Sequence, residues 1–161
     1  MPEPLSAGVR RSGLNTVKND TGRTAYCGPY ILSALTGFPI SRVESEVNRF
    51  RRVPEDSKIE GTSAMEVAAA ATELGWEMTL VENFWHLERK QRPTLWSWMQ
   101  KPRNAWVYYL LAIHRGKQGH WILVKGVKLC DTYTEGQWQF VVDGPHRGAK
   151  IMEIYQLRSR A

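Results

Sequence analysis

The sequence predicts an α+β fold in which N-terminal helices pack on a C-terminal antiparallel β-sheet. Three observations carry that expectation. Apolar residues recur at helical spacing in three segments before Gly75. Beyond Gly75 the period changes, and β-branched and aromatic residues fill segments separated by turn residues. Helices first and strands second is the order of an α+β domain. At 161 residues and 42% hydrophobic, the chain is long enough for one domain with a real core.

Taken in order, residues 1–14 carry Pro, Gly, Ser and Arg without periodicity and read as a flexible arm; the domain is expected over 15–161. Residues 15–26 are polar, with turn residues from Asn19 to Gly22. A helix starts at Cys27: Pro29 fits only a first turn, and Ile31, Ala34, Leu35 and Phe38 form an apolar stripe. Gly37 is its expected left-handed cap, and Pro39 forbids continuation. A second helix is expected from Ser41, with Glu44 completing a capping box and Val43, Val47 and Phe50 facing inward. Arg49, Arg51 and Arg52 suit its C-terminal end. Thr62 or Ser63 caps a third helix, with Glu66 three residues beyond Ser63; it runs to Leu74 and stops at Gly75.

Strands are expected over 76–81, 105–113, 120–129, 137–143 and 150–157, with a short helix over 94–99. The longest apolar run, 105–113, is too short to cross a bilayer as a helix, and residues 1–4 lack the build of a secretory signal. Two cysteines make no disulfide framework, so a cytoplasmic setting, or carriage within a larger particle, is expected. The net charge of +6 is spread along the chain without a nucleic-acid-binding motif beside its clusters, which speaks against nucleic acid as the main partner. Neither paired CxxC nor HExxH is present, so no metal and no cofactor is expected.

The chemistry is expected at Cys27, where free N–H groups and the positive end of the helix dipole favour thiolate over thiol. A helix end supplies only about 0.3–1 kcal/mol, whereas a shift of several pKa units needs several times that, so a cationic partner is required. His120, at the head of a strand after Gly119, can supply it. It is expected to share a sheet face with Ile122 and Val124 and to meet Cys27 there. Asp143, ending the next strand before Gly144-Pro145, is expected to orient the imidazole. Cys130, His86, His114 and His146 read as structural or turn residues. Of the tryptophans, Trp85, Trp96, Trp98 and Trp106 crowd one segment and read as core or as an aromatic wall for a substrate or partner.

Tyr26-Cys27-Gly28-Pro29 opening a helix, Gly119-His120-Trp121 opening a strand and Asp143-Gly144-Pro145 closing one resemble the papain-like cysteine peptidases, closest to the bacteriocin-processing-like group. Gly61-Thr62-Ser63 entering a helix that ends Leu74-Gly75-Trp76 is similar to the same group. The resemblance covers about residues 15–157. It implies a papain-like fold and a peptidase or amidase acting on a peptide or isopeptide bond, with Cys27 as nucleophile, His120 as general base and acid, and Asp143 as orienting residue. Such enzymes usually carry a Gln shortly before the cysteine to bind the oxyanion. Here the nearest upstream amide is Asn19, so Asn19 with the Cys27 N–H is the expected pair, at a long spacing that implies a weak or inactive enzyme. The expected partner is a peptide or protein substrate. The alternative is a non-catalytic peptidase-like module holding a protein partner in a larger assembly, for example a phage particle.

Overall fold

A computed structural model describes residues 14–160 of the chain. The arm expected over 1–14 lies, save its last residue, outside the described residues. Four α-helices, α1 (Cys27–Thr36), α2 (Ile40–Arg51), α3 (Ala64–Glu73) and α4 (Leu95–Met99), are present among the described residues. Among the described residues six strands follow the first three helices: β1 (Trp76–Asn83), β2 (Tyr108–Arg115), β3 (Gln118–Lys125), β4 (Lys128–Cys130), β5 (Gln139–Phe140) and β6 (Ile151–Ser159). They form one antiparallel sheet in the order β1-β6-β2-β3-β4-β5. The α+β expectation therefore holds. The last strand does not close the sheet at its edge but lies between β1 and β2. No helix among the described residues is long and apolar enough to cross a membrane.

Both faces of the sheet are covered. Ile31, Leu32 and Leu35 of α1, Val43 and Val47 of α2, and Val67, Ala70 and Ala71 of α3 pack with Leu110, Trp121, Leu123 and Tyr155. Leu95 and Trp98 of α4 close the opposite face over Leu111, Ile113, Ile122, Val124 and Ile154. Two covered faces explain why β2 is an apolar run rather than an alternating strand.

Local sequence sets the helix ends. Gly37 takes φ 81° and returns its N–H to the Ser33 carbonyl, the left-handed stop that its position predicts. Ser63 makes the complete capping box with Glu66. The second box does not form, because α2 starts one residue before Ser41, behind Pro39. Asp20 caps it from outside instead: Oδ1 accepts the Ser41 N–H at 2.9 Å and Oδ2 its hydroxyl at 2.5 Å. Glu44, freed from that role, is buried against Arg23 at 3.0 Å. Phe50, expected inward, is half-exposed. Arg49 pairs with Glu46 within α2, whereas Arg51 reaches Glu66 of α3 at 2.6 Å and so ties the two helices together.

The largest departure lies between residues 120 and 140. The strand expected over 120–129 breaks at Gly126, where φ is 61°. Lys125 faces Lys128 across a two-residue hairpin loop, and the chain turns back on itself. The segment expected as a strand over 137–143 supplies two strand residues and then a 3-10 turn, Val141–Asp143.

Candidate active site

β4 pairs with β3 only from Leu123 to Lys125, which leaves the β3 edge open beside Trp121 and His120. Cys27, in the first turn of α1, stands at that opening. Its sulfur lies within reach of hydrogen bonds from the His120 side chain and from the backbone N–H groups of Trp121 and Gly28. The meeting point is thus the edge of the strand. The face that Ile122 and Val124 share belongs to the opposite layer, under α4. Close approach is enforced at Gly28, where a Cβ would sit 2.0 Å from Thr62 Oγ1 and 2.9 Å from Thr62 Cβ. Only glycine lets α1 start this near the Gly61–Ser63 loop.

The carboxylate on His120 is that of Asp131, the residue immediately after β4. His120 Nε2 lies 2.7 Å from Asp131 Oδ2, leaving Nδ1 as the ring nitrogen for Cys27. Asp143, the expected orienting acid, is exposed in the 3-10 turn and is not the group that bonds His120. The correction follows from the hairpin at Gly126, which carries the chain back along the open edge. Asp131 is fully buried and its other oxygen accepts the Thr134 N–H at 2.9 Å. A second histidine shares it: His146 Nε2 lies 2.5 Å from the same Oδ2. Tyr133 sets its ring edge-on to both imidazoles, 5.1 Å from His120 and 5.0 Å from His146.

The electrostatics follow from these contacts. Burial pushes the Cys27 thiol up, but the His120 bond, the two N–H groups and the imidazolium charge outweigh it and hold the thiol below its ordinary value. Burial would lower His120; hydrogen bonds to Asp131 and Cys27 and the charges on both reverse this and raise it to about 9. Burial likewise opposes the charge on Asp131, yet the two histidines bring it down to about 2. All three shifts run toward a thiolate–imidazolium pair backed by a carboxylate. Cys130 is the contrast: buried and without a cationic partner, its thiol is driven up to about 12, as a structural cysteine should be.

His120, Asp131 and His146 also present three atoms that could in principle ligate a cation. Their separations of 2.7 and 2.5 Å are hydrogen-bond lengths, however. Two nitrogen or oxygen ligands on a tetrahedral zinc, each about 2.0–2.1 Å from the metal, stand roughly 3.3 Å apart. The cluster is set for protons.

Asn19, the expected oxyanion donor, is spent elsewhere. Its Nδ2 donates to the Arg23 carbonyl at 2.9 Å, and its Oδ1 accepts from the N–H and hydroxyl of Thr21 at 3.1 and 2.7 Å. It closes a local turn, as the run Asn19 to Gly22 itself suggests. The Cys27 N–H, in a helix first turn without an intrahelical acceptor, is the donor the site retains.

Cys27 and His120 open onto a cleft of about 1050 Å³ whose walls include Tyr26, Gly61, Trp85, Gln118, Tyr133 and Met152. Trp85 is an ordered wall: its Nε1 donates to Glu153 at 2.9 Å, and the Arg92 guanidinium covers its ring at 4.8 Å. Trp98, by contrast, is core, and Trp106 is 86% exposed. The Trp-rich segment thus divides between core, cleft and surface. No family model matches the sequence, and no curated protein matches it.

Proposed function

We propose that the protein is a papain-like cysteine hydrolase, a peptidase or amidase, with Cys27 as nucleophile, His120 as general base and acid, and Asp131 as the residue that orients His120. The single observation that carries the reading is the chain of contacts from the partly buried Cys27 through buried His120 to buried Asp131, at the edge of an open cleft. Thiolate attack on an amide carbonyl forms a tetrahedral oxyanion, which the Cys27 N–H meets. The imidazolium gives its proton to the leaving nitrogen as the C–N bond breaks, leaving a thioester on Cys27. His120, now neutral, takes a proton from water, and hydroxide attack on the thioester releases the acid, expels the Cys27 thiolate and restores the thiolate–imidazolium pair.

One oxyanion donor fewer costs about 10²–10³ in rate, so slow turnover is expected. The experiment is to present peptide, isopeptide and cell-wall amides and to search for an acyl adduct on Cys27 by mass spectrometry. A thioester at Cys27 that forms and then decays is the expected result. Turnover should fall as pH rises through about 9, because His120 then loses the proton that the leaving group needs. An adduct at Cys130 or none with any substrate class contradicts the reading and favours a binding module built on the same fold.

A further inference from the structure

His146 is the buried titratable group that this mechanism does not use. Its side chain is fully buried, its Nε2 meets Asp131 Oδ2, and its Nδ1 is buried with no hydrogen-bond partner. A carboxylate oxygen accepts only, so the His146 proton belongs on Nε2, and the bare Nδ1 is what that tautomer leaves behind. Asp131 is thereby held at both ends: Thr134 N–H on Oδ1, and the two imidazoles on Oδ2. Only one of those imidazoles is bonded to Cys27.

We propose that His146 is a positioning residue, whose Nε2–H pins Asp131 Oδ2 in the place where it holds the His120 ring against Cys27. This rests on the reading of Cys27, His120 and Asp131 as the reactive centre. Without the second imidazole, Asp131 Oδ2 keeps a single donor and the carboxylate is free to turn about the Oδ1–Thr134 bond. His120 then loses alignment and part of the charge partner that keeps it protonated. The Nε2–H position is matched by the side-chain amide of glutamine and by no group of leucine.

The test compares His146→Gln and His146→Leu with the unaltered protein, each first checked for folding by thermal melting. The readout is the rate of Cys27 alkylation by iodoacetamide against pH, with ¹⁵N NMR of the histidines alongside. The unaltered protein should show reactive thiolate at acid pH, an imidazolium titrating near 9, and a proton on Nε2 of His146. H146L should lose about 10–100-fold in rate near pH 6, by analogy with the loss seen when the outer hydrogen-bond partners of metal-ligating histidines are removed. Its His120 should titrate lower, and H146Q should restore most of both. A folded H146L that keeps the rate and the titration overturns the role of His146 alone, as does a folded H146Q no better than H146L. An unaltered protein lacking acid-pH thiolate overturns the reading of the centre itself, and the proposal with it.

Discussion

Asp131→Asn should lower hydrolysis by about 10²–10⁴, whereas Asp143→Asn should leave it within about twofold. The loss expected at 131 follows from what the carboxylate does. It accepts the His120 Nε2–H at 2.7 Å, and its charge helps keep that ring protonated up to about 9. An amide of the same shape loses the charge and presents a donor as readily as an acceptor, so the ring is no longer fixed in one tautomer. Exchange of carboxylate for amide in the analogous serine triad costs about 10⁴. Asp143 is exposed and bonds neither imidazole, so its exchange touches only the surface of a turn. Steady-state rates of the two variants on one amide substrate decide between the two acids. Equal losses, or a larger one at 143, would contradict the assignment.

Cys27→Ala should remove activity altogether, by roughly a millionfold where loss of a nucleophile has been measured in comparable enzymes. The fold should survive. Cys27 lies at the margin of the helix-side core, only partly buried; its sulfur meets His120 and two N–H groups at the strand edge, while the apolar contacts of α1 and its Gly37 cap do not involve it. Melting temperature and circular dichroism should therefore match those of the unaltered chain while turnover vanishes. Residual hydrolysis at the original rate would mean that some other group is the nucleophile.

How much was legible in the sequence depended on how local each signal was. The start of α1 was written in Cys27-Gly28-Pro29 and its end in Gly37. The α3 cap was written in Ser63 and Glu66, because caps are settled within a turn of helix. His120 was legible as a polar residue heading an apolar strand. Asp131 was not, because its place depends on where β3 stops. Gly126-Val127 carries the left-handed glycine of a two-residue hairpin but not the Asn-Gly or Asp-Gly pair that announces one, and apolar residues continue on both sides. Reading 120–129 as one strand moved the expected acid to the next strand end, Asp143. His146 was set aside for a similar reason: a histidine amid Pro145, Arg147 and Gly148 looks like a turn residue, and only the returning chain buries it. Asn19 sat in its own turn signal, and the turn kept its amide.

Whether the Cys27 sulfur is a thiolate held by the His120 imidazolium is measured directly by the pH dependence of Cys27 alkylation. With the proposed ion pair in place, the rate is already high near pH 5 and nearly level up to neutrality. A rate that stays low and climbs only toward about pH 8.5, the range of an unperturbed cysteine, would contradict it.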